Sequence, residues 1–286
     1  MNEKAAVKTK LKFKGVLCLL VFCVWIMPAA AITWGELDDA DEYPHVGMMG
    51  VFLDGLDGLP VFVCSGTLIH PSVVLTAGHC TGYASLLEQF GEVSVVVTFD
   101  PVGNFQDSSY LTVDNYITHP EYNPRTRSDT HDVGALILAE PIENIEPAEL
   151  PPHVGFLDKL KKAGMLGRGS EKAIFTVVGY GATLDWPPPV INSDFKRRYA
   201  ESEFRALLPA WLRLSQNHAT GDEGTCIGDS GGPAFYSDSN GNQILVGIIS
   251  WGDPNCIATG FNYRTDIMES IEFIENVIEY VEDLQE

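Results

Sequence analysis

A Gly-Asp-Ser-Gly-Gly-Pro hexapeptide at 228–233 is the feature that most restricts what this chain can be. It sets a serine among glycines, where the backbone can turn tightly and its amides can point at a developing oxyanion. Far upstream, a Thr-Ala-Gly-His-Cys run at 76–80 offers a histidine. Ser230 and His79 together predict nucleophilic acyl transfer by a serine–histidine pair, and a third group is then needed to orient the imidazole.

The order of these groups along the chain excludes two known arrangements. The hexapeptide also fits G-x-S-x-G, the nucleophile turn of α/β-hydrolases, in which the acid and the histidine follow the serine. That interpretation fails, because the last histidine of this chain is His218. The subtilisin order needs an acid before the histidine, and those candidates lie in turn-like or terminal segments. The remaining order is histidine, acid, serine.

One acid stands out between His79 and Ser230. Asp132 lies at the mouth of an apolar segment, Gly134–Leu138, that has the character of a buried strand. A buried carboxylate at that position can hold the imidazole N–H. The order argument therefore selects His79 as general base, Asp132 as the orienting acid and Ser230 as nucleophile.

Short β-type segments separated by turn signals predominate, which favours a barrel or sandwich over an α/β fold. The 286 residues allow one large all-β domain or two small ones. Segments 46–53 and 61–69 flank two Asp-Gly pairs at 54–58 and predict a hairpin. Apolar residues recur at helical spacing from Ile267 to Val281, which predicts an amphipathic closing helix. Further strands are predicted at 93–99, 134–138, 175–180 and 245–251.

The first 31 residues have the pattern of an export signal. Five lysines precede a short apolar run at 16–27, and the alanines at 29–31 supply a small-residue cleavage site. The run is shorter than the roughly 20 residues of a spanning helix, which argues against an uncleaved membrane anchor. A bulky residue precedes both Cys18 and Cys23, which argues against lipidation. We expect cleavage after Ala31 and a secreted protein, extracellular or periplasmic.

The charge balance restricts the partners. The formal net charge is −21, and the export segment carries five of the lysines, so the remaining chain is more acidic still. Such a surface argues against nucleic acid or an anionic membrane as partner. The basic run at 196–198 is expected to be a solvated face. The histidines are scattered without zinc-ligand spacing, so we expect no metal and no cofactor.

Beyond the export segment, the chain resembles the trypsin/chymotrypsin-like serine proteases over nearly all of its length. The hexapeptide and the histidine run are two of six segments that match the family in order. The other four are Cys-Ser-Gly-Thr-Leu-Ile from 64, His-Pro-Glu-Tyr-Asn from 119, Val-Val-Gly-Tyr-Gly from 177 and Ile-Ser-Trp-Gly from 249. Four cysteines remain outside the export segment, and so few disulfides resemble secreted bacterial members more than animal ones.

The resemblance implies an all-β fold. Two antiparallel six-stranded β-barrels would pack across an active-site cleft, followed by a C-terminal α-helix. It divides the chain into a cleaved signal peptide, 1–31, and a protease domain, 32–286, with the N-terminal barrel at about 32–145 and the C-terminal barrel and helix at about 146–286. Four cysteines allow three pairings. The resemblance selects Cys64–Cys80, beside the histidine, and Cys226–Cys256, beside the specificity pocket.

The resemblance also gives roles to the residues around the nucleophile. The amides of Gly228 and Ser230 would form the oxyanion hole. Asp229, mostly buried, requires a cationic partner, which in the family is the α-amine of an Ile-type N-terminus. Ile32 begins a segment that resembles that N-terminus, but Ala31 precedes it rather than Lys or Arg. We therefore expect signal peptidase itself to create the activating N-terminus, without a separate zymogen.

The pocket for the P1 side chain, on the N-terminal side of the scissile bond, is located in the same way. Its base falls at Gly224, with Thr225 beside it, where the trypsin branch carries aspartate. Ser250, Trp251 and Gly252 would form the wall that pairs with the substrate backbone. We expect an uncharged P1 side chain, aromatic or aliphatic.

The implied function is a secreted serine endopeptidase that hydrolyses peptide bonds through an acyl-enzyme intermediate. The expected partner is a protein or peptide substrate, with no nucleic acid and no stable membrane association, and the protein is expected to be a monomer. The main alternative is a non-catalytic secreted homologue that binds partners through the same cleft. Such proteins usually lose a triad residue, and none is lost here. An esterase with the same triad is a second alternative.

Overall fold

The computed structural model describes residues 32–285, apart from 57–58, 104–109, 168–171 and 186–189. The expected signal peptide, 1–31, lies outside the described residues, as does the Asp-Gly pair at 57–58. Within these limits, none of the helices has the length and apolar character needed to cross a membrane.

The first half of the chain forms a closed antiparallel barrel of six strands. A short strand, β1 (Glu36–Leu37), precedes it, and the six barrel strands are β2 (Val46–Leu53), β3 (Phe62–His70), β4 (Val73–Thr76), β5 (Val93–Thr98), β6 (Leu111–Thr118) and β7 (Gly134–Leu138). Their order is β2-β3-β4-β7-β6-β5, closed by the pairing of β2 with β5. In β5, Val95 and Val97 are buried while Ser94 is exposed, the period-two pattern of a strand with one face on a core. The predicted hairpin is β2–β3, with Met49 opposite Cys64.

The second half forms a second closed barrel. Its segment of the chain contains β8 (Ile174–Gly179), β9 (Thr183–Asp185), β10 (Val190–Asn192), β11 (Arg198–Leu207), β12 (Trp211–Ser215), β13 (Pro233–Ser237), β14 (Gln243–Gly252) and β15 (Thr259–Arg264). The strand order β8-β11-β12-β15-β14-β13 closes through β13 with β8. β1 is added at β11, with Glu36 opposite Tyr199, and β9 pairs with β10 as a separate hairpin. The prediction of two six-stranded antiparallel barrels is confirmed.

Three α-helices accompany the barrels. They are α1 (Gly78–Leu87), α2 (Phe156–Lys162) and α3 (Met268–Gln285). α3 is the predicted closing helix, and its buried residues Ile274, Val277 and Val281 belong to the core of the first barrel. The last helix therefore packs across the molecule onto the barrel that comes first in the chain.

The two barrels share a packed interface, and the cleft lies along it. Tyr180, which follows β8 of the second barrel, belongs to the core cluster of the first. Its hydroxyl donates to the carbonyl oxygen of Asp100 over 2.8 Å. Most of the second barrel's interior forms a separate core, which includes Ile32. Side chains from both barrels can therefore meet at this interface.

The basic run at 196–198 is not a solvated face, so that expectation is wrong. Arg197 is fully buried, and its Nε donates to Oδ2 of Asp38 over 2.7 Å. Its Nη1 donates to the carbonyl oxygens of Val46 and Phe99. A buried guanidinium is tolerated where a carboxylate and carbonyl oxygens satisfy its donors. Arg197 thus ties the segment that carries Asp38 to both barrels.

Candidate active site

His79 lies in the first turn of α1, directly after β4. Its backbone N–H donates to Oδ1 of Asp132 over 2.7 Å. Its ring Nδ1 lies 2.9 Å from Oδ2 and 3.2 Å from Oδ1 of the same carboxylate. One carboxylate therefore holds both the main chain and the ring of His79, which sets the orientation of the imidazole.

Asp132 sits two residues before β7, after a left-handed residue, His131, with φ 49°. It is 3% exposed, and the hydroxyl of Ser250 donates a very short hydrogen bond to its Oδ2. Burial alone would raise the pKa of this carboxyl. The charge of His79 and the hydrogen bonds from His79 and Ser250 outweigh burial and hold the pKa of Asp132 below its usual value. Asp132 is therefore an ionised acceptor at neutral pH.

Ser230 lies in a tight turn, and the backbone on both sides of it adopts angles that favour glycine. Gly228 and Gly231 have φ values of 97° and 87°, in the left-handed region that disfavours side chains. A Cβ on Gly231 would also overlap Thr76 Oγ1 and the carbonyl oxygen of Ser65. Two glycines of the hexapeptide are therefore required by the backbone path of the turn.

The two amides expected to form the oxyanion hole donate no hydrogen bond within the described residues. Among the residues that the structure describes, no hydrogen bond is donated by the backbone N–H of Gly228 or of Ser230. The N–H of Gly231, by contrast, donates to the carbonyl oxygen of Ile249 over 2.8 Å. Gly228 and Ser230, whose amides have no partner among these residues, both line the cleft.

Ser65 of β3, in the first barrel, forms hydrogen bonds to the turn that carries Ser230 in the second barrel. Its hydroxyl donates to the carbonyl oxygen of Gly228 over 3.1 Å, and its N–H donates to that of Ser230 over 2.7 Å. The N–H of Tyr180 donates to the same hydroxyl over 3.0 Å. Sequence reasoning missed this residue, although it stands beside Cys64 in a segment quoted for the resemblance.

Asp229 is fully buried beneath the turn. Its carboxylate accepts the N–H of Gly181 over 2.7 Å and the N–H of Cys226 over 2.8 Å. Burial raises the pKa of Asp229 to about 7, although these two hydrogen bonds and the charge of Arg198 oppose the rise. Two amides therefore do not compensate for the loss of water around this carboxylate.

The segment that begins at Ile32 is bound beside the expected pocket. Ile32 is fully buried in the core of the second barrel. The hydroxyl of Thr33 lies 3.1 Å from the carbonyl oxygens of Gly224 and of Cys256. The N–H of Gly224 donates in turn to the carbonyl oxygen of Thr33 over 3.2 Å. The segment that begins at Ile32 is therefore hydrogen-bonded to Gly224 and Cys256, on either side of the expected pocket in sequence.

Both predicted disulfides are present. Cys64–Cys80 joins β3 to α1, and Cys226–Cys256 joins the nucleophile's loop to the loop before β15. The sulfurs of Cys64 and Cys80 lie close to the ring of His79, a grouping that could suggest a metal site. Because both sulfurs are bonded to each other, neither is available as a thiolate ligand.

The predicted substrate-binding residues fall into two groups. A cleft of about 700 Å³ is lined by His79 and Ser230 together with four of those residues. These four are Thr225, Ser250, Trp251 and Gly252. The indole of Trp251, 46% exposed, stacks on Phe261 with ring centroids 3.7 Å apart. The wall expected to meet the substrate backbone thus includes a partly exposed indole that stacks on a neighbouring strand.

Gly224, the expected base of the pocket, does not line this cleft. The side chain of Gln216 lies against it, where a Cβ on Gly224 would overlap Gln216 Cβ and Cγ. Sequence reasoning missed Gln216, because no motif marks the loop that follows β12. Gly224 is therefore packed against the side chain of Gln216, which comes from the loop after β12.

Comparison with known proteins agrees with this geometry. The family model described as Trypsin matches residues 40–271. The "Inactive CLIP domain-containing serine protease A28" of Anopheles gambiae is 34% identical over 202 residues, which are 67% of this chain and 49% of that protein. The "Clotting factor G beta subunit" of Tachypleus tridentatus is 29% identical over 209 residues, 67% of this chain and 63% of that protein. The chain thus spans about half to two thirds of the length of these relatives.

The solved structure of HL collagenase has a TM-score of 0.62 to this protein, with 21% sequence identity, and the match covers 86% of this chain and 99% of that one. At that identity the likeness concerns the fold alone. The relatives named above are animal proteins, so the expected likeness to secreted bacterial members finds no support. The family match, the two barrels and the arrangement around Ser230 lead to one conclusion: the chain belongs to the trypsin family of chymotrypsin-like serine proteases.

Proposed function

We propose that this protein is a secreted serine endopeptidase. Ser230 is the nucleophile, His79 the general base and Asp132 the residue that orients the imidazole. The observation that carries the proposal is the double hold of Asp132 on the ring and main chain of His79, in the same cleft as Ser230. A serine hydroxyl is unreactive at neutral pH and needs such a base.

In the first half of the reaction, Ser230 Oγ forms a bond to the carbonyl carbon of the scissile peptide, and His79 Nε2 takes the hydroxyl proton. The carbonyl oxygen becomes an oxyanion that the N–H groups of Gly228 and Ser230 stabilise. The C–N bond then breaks, and His79 returns the proton to the leaving amine. Asp132 stays ionised throughout and stabilises the imidazolium.

In the second half, water attacks the ester carbon of the acyl-enzyme and gives its proton to His79. The second tetrahedral intermediate uses the same two amides. It collapses with breakage of the bond to Ser230 Oγ, which takes the proton from His79. The carboxylic acid product leaves, and the enzyme returns to its starting state.

The activation step pairs the α-amine of Ile32 with Asp229. A fully buried carboxylate with a pKa raised to about 7 supports the need for a cation. The burial of Ile32 and the binding of Thr33 beside the pocket support this segment as its source. Cleavage after Ala31 by signal peptidase supplies the amine, so the secreted chain is active without a second cut.

The pocket selects an uncharged P1 side chain. Gly224 brings no carboxylate to the base of the pocket. The nearby carboxylate of Asp222 is buried and already accepts hydrogen bonds from Arg205 and Thr220. Neither Gly224 nor Asp222 therefore offers a free anion to a cationic P1 side chain.

The same proposal includes the compartment, the domain bounds and the oligomeric state of the protein. The two disulfides favour an oxidising compartment, in keeping with secretion after removal of residues 1–31. The domain of residues 32–286 acts as a monomer on a protein or peptide substrate, with one barrel at about 32–145 and the other, with the helix, at about 146–286.

A relative named as inactive favours one alternative: a non-catalytic homologue that binds partners through the cleft. One experiment distinguishes the endopeptidase from the binding protein. The secreted protein is incubated with a proteome-derived peptide library, and the products are identified by mass spectrometry. The proposal predicts new termini that are absent with Ser230→Ala. Intact peptides retained equally by both proteins would indicate a binding protein. Turnover of an ester without its matched amide would indicate an esterase.

A further inference from the structure

Gln216 packs against Gly224, the residue expected at the base of the P1 pocket. It follows β12 directly, and only 2% of its surface is exposed. Its side chain extends among three glycines, Gly224, Gly252 and Gly260, each of which would bring a Cβ within van der Waals range of it. A side chain on Gly224 would overlap it outright. A carboxamide from Gln216 therefore lies beside Gly224, where this chain has no side chain of its own.

The orientation of this carboxamide is determined by its neighbour. Gln216 Nε2 lies 2.8 Å from the carbonyl oxygen of Thr225 and 2.6 Å from Thr225 Oγ1. A backbone carbonyl can only accept, so the nitrogen must face it. The oxygen of the carboxamide is therefore on the other side, toward Gly252, where it lies 3.4 Å from the position of a Cβ on that glycine.

The oxygen itself is an unused acceptor. Gln216 Oε1 is buried and has no hydrogen-bond partner among the residues that the structure describes. Gly252 and Thr225, its neighbours, line the cleft that contains Ser230. A buried acceptor without a partner is costly, which makes this oxygen a recognition point for a donor that enters the pocket.

We propose that Gln216 is the specificity-determining residue and that it selects a carboxamide at P1, glutamine or asparagine; this inference rests on the proposed function. One N–H of the P1 carboxamide donates to Gln216 Oε1. Thr225 Oγ1 accepts from Gln216 Nε2, so its own hydrogen donates to the P1 carbonyl oxygen. Both polar atoms of the P1 side chain are then paired.

Other P1 side chains lack this match. An aromatic or aliphatic P1 side chain leaves Gln216 Oε1 unpaired. The expected preference for an uncharged P1 side chain is therefore restricted to neutral side chains that donate a hydrogen bond. An acidic side chain places a carboxylate against Oε1. A basic side chain finds an acceptor in Gln216 Oε1 but no counter-charge at Gly224.

The test uses peptides that differ only at P1, in isosteric pairs: glutamine with methionine, and asparagine with leucine. The secreted protein from the full chain is first titrated with a fluorophosphonate, so that kcat/KM refers to reactive Ser230. The preferred carboxamide should be cleaved at least about tenfold faster than its apolar isostere. Gln216→Met should abolish that ratio, and the exposed Gln89→Met, the same change outside the cleft, should keep it.

The outcomes separate the two proposals. Absence of fluorophosphonate labelling in the wild-type chain would overturn the proposed function and this inference with it. Normal labelling with equal cleavage of both members of each pair would overturn only the inference. So would a Gln216→Met variant that labels normally and keeps the carboxamide preference. A ratio that is lost in Gln216→Met while labelling persists supports Gln216 as the residue that selects P1.

Discussion

The hydroxyl of Ser65 donates a hydrogen bond to the carbonyl oxygen of Gly228 over 3.1 Å, from a strand of the first barrel to the turn of the second barrel that carries Ser230. The amide of Ser65 also reaches the carbonyl oxygen of Ser230. The imidazole and the nucleophile come from different barrels, so their relative position depends on how the barrels dock. Through Ser65, the docking of the barrels fixes the position of the turn that contains Gly228 and Ser230.

Ser65→Ala should therefore lower both stability and activity. The change leaves the carbonyl of Gly228 and the N–H of Tyr180 without this partner, at a cost of about 1–3 kcal/mol. Urea unfolding and kcat/KM on a matched peptide measure the two effects. Ser94→Ala, an exposed serine in β5, is the control and should leave both unchanged. A Ser65→Ala variant indistinguishable from this control would show that the docking does not depend on the hydroxyl.

Asp132→Asn should remove the orientation of His79. The neutral amide offers its N–H where the ring needs an acceptor, so kcat should fall by about 10⁴-fold while the fold persists. Steady-state kinetics and circular dichroism check the two parts. Asp114→Asn, the same change at an exposed site on β6, should retain full activity. Loss of less than about tenfold in Asp132→Asn would contradict the role given to this carboxylate.

The proposed pairing of Ile32 with Asp229 predicts a pH dependence that changes with the N-terminus. In a chain with residues ahead of Ile32, the pKa of Asp229 is about 7 when folded and near 3.8 when unfolded. The folded state then binds more protons between these values, so its stability falls as pH rises through them. In a chain that begins at Ile32, the ammonium lowers that pKa and the slope should disappear.

Urea midpoints of the two preparations across this pH range measure the difference. The chain that begins at Ile32 should instead lose activity at alkaline pH, as the amine deprotonates from a pKa above the free value near 8. Identical slopes for the two preparations would mean that Ile32 is not the partner of Asp229.

His45 should make the fold sensitive to acid. Burial, helped by the charge of Arg197, lowers the pKa of His45 to about 4, and its ring lies edge-on to Phe235 with centroids 5.4 Å apart. Since the folded pKa lies below the unfolded value near 6.5, stability is present above 6.5 and is lost as pH falls toward about 4.

The slope of unfolding free energy against pH, compared between wild type and His45→Leu, tests this. The variant should lose that component of the slope, whatever its absolute stability. His153→Leu, a partly exposed position, serves as the control and should keep it. An unchanged slope in His45→Leu would assign the acid sensitivity to other groups.

The parts of the site that sequence reasoning identified are those that local motifs carry. Ser230 and its glycines lie within six residues, and Asp132 follows from chain order and the apolar strand after it. Both barrels and α3 follow from periodicity and the family resemblance. These features depend on neighbours in sequence, which is why they could be predicted.

The residues that were missed act through partners distant in the chain. Ser65 meets Gly228 163 positions away, and Arg197 meets Asp38 159 positions away. Gln216 packs against Gly224, the residue expected at the base of the pocket, from a loop that no motif marks. Such contacts depend on barrel docking and on which side chain enters a gap, and no local pattern records either.

The most direct test of the account is the intact mass of the secreted protein before and after reaction with a fluorophosphonate, with Ser230→Ala alongside. The account predicts one adduct per chain on a protein that begins at Ile32, and none on the variant. A correctly folded wild-type chain that begins at Ile32 and gains no adduct would contradict it, and the cleft would then be a binding site without an active nucleophile.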